Sequence, residues 1–175
     1  MMALHVALLE ATPAPIVGAI ARACANADAS LHLIGPLEFE RDDPGLVKAG
    51  PEDWSKLDWW LHPGWRDFRD AMARERCLYF AVDAERDAEE APFRANSVLV
   101  VGGENGELPE RIREKYPHRI YRLPQRPRKR KFDLSDSVAL LLEVGAKGAA
   151  ARAQAAAEPA TPKPTRYGRG RGRRA

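Results

Sequence analysis

Four short segments, apolar at almost every position, set the narrowest limit on the fold: Leu4–Leu9, Ser30–Gly35, Cys77–Val82 and Ser97–Val101. They are too short for typical helices and do not alternate apolar with polar, so they read as strands buried on both faces. Asp58–His62 and Arg119–Leu123 read as a third and a last strand in chain order. Helical segments fall between and after them. Pro15–Asn26 carries Ile16, Ile20 and Cys24 at a spacing of four on one face. Pro44–Gly50, Trp65–Arg76 and Leu108–Tyr116 follow, and Leu134 to about Ala157 is a long Ala- and Leu-rich helix. Strands alternating with helices predict an α/β domain, a parallel sheet with helices on both faces. Ligands of such sheets lie beyond the carboxyl ends of the strands, here residues 11–15, 35–43, 102–109 and 124–133.

A chain of 175 residues holds one domain of ordinary size plus an appendage. The domain is expected over residues 1–152. A Pro/Gly/Arg-rich tail, 153–175, cannot bury a face along its length and is expected to be disordered. The two cysteines, Cys24 and Cys77, sit in apolar runs and read as reduced thiols rather than a bridge framework. No run of about 18 apolar residues is present to span a membrane. Glu10 interrupts the apolar start and no Lys or Arg precedes it, so a secretory signal is not expected and a cytoplasmic setting is the default. The four histidines lack metal-ligand spacing, and no metal is expected.

Charge is unevenly spread. The 28 Lys and Arg exceed the 25 Asp and Glu by three, yet six of the basic residues lie in 159–175 and seven in 119–131, neither stretch holding an acid. Without those thirteen the remainder carries −10. An acidic body bearing two concentrated basic segments points to a polyanionic partner, nucleic acid first. Candidate nucleic-acid contacts are Arg126, Arg128, Lys129, Arg130 and Lys131 in the loop, and Arg169, Arg171 and Arg173 in the tail. Trp54, Trp59, Trp60 and Trp65 fall within twelve residues, and core or subunit packing suits them better than base stacking.

Three segments carry candidate chemistry. Val101-Gly-Gly-Glu-Asn-Gly-Glu-Leu-Pro109 follows a strand and opens a helix, and its glycines let backbone amides approach a ligand. It has neither the Gly-Lys-Ser/Thr of a phosphate-cradling loop nor dinucleotide-binding spacing. Asp133 and Ser135 stand where the basic loop meets the last helix, placed to cap it. Arg22 lies about 200° around the first helix from Ile20, off its apolar face. Gly18 inside that helix implies close packing or a nearby ligand.

In this order the three segments resemble the SPOUT class of RNA methyltransferases, in its SpoU branch, specifically the small tRNA wobble-nucleotide 2′-O-methyltransferases. Gly18, Ile20, Arg22, Cys24, Ala25 and Asn26 match the first motif, with Ile16 and Ala19 where the family has Asn. Gly102, Glu104, Leu108 and Pro109 match the second, with Glu107 in place of a glycine. Pro124, Leu134, Ser135 and Val138 match the third, with Asp133 for Asn and Lys131 for Ser. The resemblance spans about residues 3–150. It implies a C-terminal trefoil knot, a homodimer, and S-adenosylmethionine held by Gly102, Gly103, Glu104, Gly106, Leu123, Leu134 and Ser135. It also implies Arg22 as the catalytic arginine, reaching the other subunit's cofactor site, with Ser135 and Asp133 orienting nucleotide and cofactor. The subunit interface is expected to include helices 15–26 and 134–152. The leading expectation is therefore methyl transfer to a ribose 2′-hydroxyl of tRNA or rRNA. A non-catalytic knotted RNA-binding protein is the alternative, separated from it by whether S-adenosylmethionine binds. A small-substrate metabolic α/β enzyme would leave both basic segments without a purpose.

Overall fold

A computed structural model describes residues 3–9, 12–128 and 131–158. All six expected strands form: β1 (His5–Leu8), β2 (Ser30–Ile34), β3 (Trp59–His62), β4 (Cys77–Ala81), β5 (Val98–Val101) and β6 (Ile120–Arg122). They make one sheet of order β3-β2-β1-β5-β4-β6, and every neighbouring pair is parallel. The helices are α1 (Ala14–Asn26), α2 (Pro44–Ala49), α3 (Trp65–Ala71), α4 (Glu110–Lys115) and α5 (Leu134–Ala157).

The uniformly apolar segments become the inner strands because helices cover both faces. On one face α1, α2 and α5 bury Val17, Ile20, Cys24, Leu46, Leu141 and Leu142 against Val6, Leu31 and Leu99. On the other, Phe68 of α3 and Ile112 of α4 pack on Ala7, Ile34, Tyr79 and Val100. Gly18 serves close packing, since a Cβ there would lie 2.6 Å from the Leu46 carbonyl oxygen where α1 meets α2. Asp43 starts α2 by accepting from the Gly45 and Leu46 amides at 2.8 and 3.4 Å.

Two expected boundaries move. The helix over Trp65–Arg76 ends at Ala71: Met72 is extended, and a separate 3-10 turn, Arg74–Arg76, leads into β4. Only Phe68 of α3 is buried, so no continuous apolar stripe sustains a longer helix. At the other end, α5 runs to Ala157 as its Ala- and Leu-rich run predicts, so residues 153–157, which the expected domain limits gave to the tail, are helical. They are exposed and mostly alanine, the strongest helix former, which extends the helix without a core beneath it. The rest of the tail, 159–175, lies outside the described residues.

Candidate active site

The chain begins at the sheet centre, runs outward through β2 and β3, and returns through β4–β6 on the other side of β1. This reversal opens a crevice where β1 and β5 end side by side. The start of α1, the turn after β5 and the segment entering α5 meet there. They line a cleft of about 440 Å³ with Pro15, Ile16, Ala19, Glu104, Lys131, Phe132, Asp133, Leu134 and Ser135. A second cleft, about 570 Å³, continues between α1 and α5. It is lined by Arg22, Asn26, Ser135, Asp136 and Glu143 among others, and shares Ala19 and Ser135 with the first. Both volumes fall in the range of small-molecule sites.

Each candidate residue has a definite place. Arg22 donates from Nε and Nη2 to the Gly50 carbonyl at 3.0 and 2.8 Å, which fixes the plane of its guanidinium. Gly50 follows the last residue of α2, and a Cβ on it would fall on the Trp54 ring, so its being glycine lets that ring pack against the end of the helix. Asp133 caps α5: its Oδ1 accepts from the Ser135 amide at 3.0 Å, the Asp136 amide at 3.3 Å and the Ser135 hydroxyl at 2.6 Å. The hydroxyl proton of Ser135 thus points at Asp133, leaving its oxygen lone pairs as acceptors.

The turn after β5 is built on its glycines. Gly106 has φ +72°, the left-handed region, and sits against Phe132 and Leu123; its amide donates to Gly103 and its carbonyl accepts from Val82. A Cβ on Gly102 would fall on the Glu107 carbonyl oxygen. Glu107 itself is exposed, as are Glu104 and Lys131. Leu123 and Leu134 are buried in the core, so what they can offer a ligand is backbone. Glu104, Asp133, Asp136 and Glu143 make the two clefts predominantly acidic, which suits a cationic ligand, while Arg22 and Lys131 supply the positive charge. Carboxylates, backbone amides of a glycine turn and an apolar wall fit the sulfonium, amino-acid and nucleoside parts of S-adenosylmethionine.

The basic run over 119–131 does not form one surface. Arg119 ends the 3-10 turn Pro117–Arg119 that leads into β6, and donates to the Glu75 carbonyl at 2.7 Å. Arg122 is tied to the Ala84 and Glu85 carbonyls and pairs with Asp87 at 3.1 Å. Arg126 and Arg128 are exposed. Lys129, Arg130, Arg169, Arg171 and Arg173 lie outside the described residues. Among the tryptophans, Trp54 meets Trp59 edge-on and Trp65 stacks on Phe68, whereas Trp60 is 55% exposed.

Sequence reasoning missed a row of imidazoles. His5, His32 and His62 sit on β1, β2 and β3, each shifted by two residues in register, with His5 Nδ1 to His32 Nε2 and His32 Nδ1 to His62 Nε2 both 3.0 Å. Burial, then the neighbouring His5 and His62, depresses His32 to about 4; burial likewise lowers the other two. The only sequence signal is one polar residue inside each apolar strand. Among the described residues no group of histidine, cysteine or carboxylate side chains is arranged to hold a metal ion, and no helix is long and apolar enough to cross a membrane.

An open parallel sheet with a glycine turn, a tethered arginine and a capped serine hydroxyl converging at its carboxyl edge defines an α/β enzyme with a small-molecule site at its switch point. The profile of the SpoU rRNA Methylase family matches residues 3–143, and the chain belongs to that family. It is 34% identical over 129 residues to the tRNA (cytidine(34)-2′-O)-methyltransferase of Methylovorus glucosotrophus (strain SIP3-4), covering 73% of this chain and 84% of the relative. It is 31% identical over 139 residues to the enzyme of the same name from Acidovorax sp. (strain JS42), covering 78% and 86%. A solved structure described as giving insight into 2-OH methylation of C/U34 on tRNA superimposes with a TM-score of 0.74 at 28% identity, covering 85% of this chain and 91% of that one.

Proposed function

We propose that this chain transfers a methyl group from S-adenosylmethionine to the ribose 2′-hydroxyl of the wobble nucleotide of a tRNA. The observation that carries this reading is the convergence of Arg22 and Ser135, from opposite ends of the sequence, on adjoining clefts at the end of β1 and β5. The relatives named for that reaction supply the nucleotide and its position. When bound, S-adenosylmethionine supplies an electrophilic methyl on a sulfonium. The chain's own residues do the rest. The turn after β5 and the backbone at Leu123 and Leu134 bind the nucleoside part, and Glu104 offsets positive charge. Arg22 cannot serve as a base at neutral pH; it anchors a phosphate and stabilises charge as the hydroxyl loses its proton. Ser135, held by Asp133, presents an acceptor to the ribose hydroxyl, whose proton passes to Ser135 Oγ as Ser135 gives its own to the Asp133 carboxylate. Positioning of this kind supplies most of the rate of a transfer with an already activated donor.

The same reading includes a homodimer formed through α1 and α5, a trefoil threading of the C-terminal strands, action in the cytoplasm, and a basic tail over 159–175 that grips RNA. Incubation with unmodified tRNA and radiolabelled S-adenosylmethionine, followed by mapping of the labelled ribose, tests it. Label at the 2′ position of nucleotide 34 is expected. Micromolar calorimetric binding of S-adenosylmethionine accompanies it, whereas no binding at millimolar would make the chain a non-catalytic RNA-binding protein of this fold.

A further inference from the structure

The end of the sheet opposite the cleft carries a concentration of arginines that the reaction does not use. The 3-10 turn Arg74–Arg76 enters β4 there, and its central carbonyl, that of Glu75, accepts from two guanidiniums: Arg94 Nη2 at 3.0 Å and Arg119 Nη2 at 2.7 Å. Two like charges are thus drawn onto one neutral oxygen. Beside this turn a pocket of about 320 Å³ is lined by Trp65, Arg66, Arg69, Asp70 and Arg74. Arg69 Nε is buried with no hydrogen-bond partner, a donor whose desolvation is uncompensated. Arg74 belongs to both, lining the pocket and opening the turn, which makes them one region.

The pocket is lined by one acid, Asp70, against three arginines, Arg66, Arg69 and Arg74. Among the described residues the ion pairs involve Lys56, Arg113 and Arg122, and none neutralises this cluster. Arginine forks match phosphate oxygens geometrically, and Trp65, half-buried and stacked on Phe68, gives the pocket one aromatic wall.

We infer that the surface formed by the Arg66–Arg69–Arg74 pocket and the Arg94–Arg119 pair around Glu75 is a second RNA contact, taking the phosphodiester backbone of the tRNA away from the nucleotide being modified. The inference rests on the function proposed above, and the geometry separates the Arg94–Arg119 half of this surface from the cleft: β4 rises roughly 13 Å from Cys77, beside that pair, to Ala81 at the other end. A backbone contact at such a distance positions the RNA and carries no sequence information.

The test uses the full chain, unmodified tRNA, and both binding and turnover. R66A/R74A removes two exposed arginines with no part in the cleft. It is expected to raise KM for tRNA about tenfold with kcat unchanged, and to flatten the slope of log affinity against log salt by roughly 1 per lost contact. R66K/R74K, which keeps the charge, is expected to restore most of the affinity. R94Q/R119Q probes the other half of the surface without touching the pocket and keeps the test open should the first variant fail to fold. Unchanged KM and salt slope in either folded double variant would overturn the proposal. Wild-type protein that binds tRNA through this surface but transfers no methyl would leave it standing and overturn the proposed activity instead.

Discussion

Arg22 has five N–H donors, of which two go to a single backbone carbonyl, so the remaining three are aimed rather than free to wander. An ammonium on a flexible stem cannot copy that fork. Arg22→Ala is expected to abolish methyl transfer while S-adenosylmethionine still binds, as read by single-turnover assays and calorimetry. Arg22→Lys is expected to lose about 10²-fold or more, the size typical of removing one charge-stabilising donor. Wild-type turnover in either would make Arg22 a structural tether for α2. A motif match and its departure from the apolar stripe mark Arg22 in the sequence, but its holder was not legible. Gly50 lies far along the chain, and only the packing of α1 on α2 makes them neighbours. His32 was hidden for the same reason, since strand register and not spacing brings it between two other imidazoles. Its folded pKa is about 4 against an ordinary 6.5. Above pH 6.5 both folded and unfolded chains hold it neutral. As pH falls below that, the unfolded chain takes up a proton the folded one resists, so stability declines, by up to about 3 kcal/mol once pH reaches 4. His5 and His62 are shifted the same way and add to the loss. Denaturant midpoints measured from pH 8 to pH 4 check this, and His32→Leu is expected to flatten the profile.

Elements differed in how plainly they could be read. The inner strands were legible because burial on both faces leaves no choice of residue type; β1, β2, β4 and β5 each lie within one residue of the expected limits at either end. Short helices were less so, because α3 is held by one buried phenylalanine and its polar neighbours fit a longer helix equally well. The converse holds for α5, where alanine propensity carries the helix past its last buried residue, Ala149. The tail beyond it belongs to the reading of function rather than of fold. Arginines separated by glycines can each find a phosphate without a scaffold, so deletion of 159–175 is expected to weaken RNA binding without changing which nucleotide is methylated. Six charges are lost, and at about 0.7 per single-strand contact the salt slope can flatten by no more than roughly four. Equal affinity and slope in the truncated protein would reduce the tail to a solubilising appendage.

At the scale of the whole molecule, the parallel α/β class followed from the strand pattern, but the crevice did not, because strand order is invisible to periodicity. The two clefts became a site only when β1 and β5 were found side by side. The cleft between α1 and α5 is open along the faces expected to meet a second copy, and closing it would place two copies of Arg22 near two copies of Ser135. Light scattering at tens of micromolar is expected to give twice the monomer mass; a monomer there would overturn the dimer. Charge reversal of Glu143, which lines that cleft, is expected to shift the equilibrium toward monomer if the faces do meet.

The central position of β1 also dictates an order of events as the chain is made. Its two neighbours are β2, which follows almost at once, and β5, where His5 aligns with Val98. A growing chain can therefore satisfy one edge of its first strand early and must leave the other bare until the fifth has emerged. The last strand then docks not beside the fifth but beyond the fourth. Loop closures of that length are slow to find, and the open edge is open to wrong pairing meanwhile. A newly made chain of this kind is most exposed to aggregation in the interval after β2 has emerged and before β5 has.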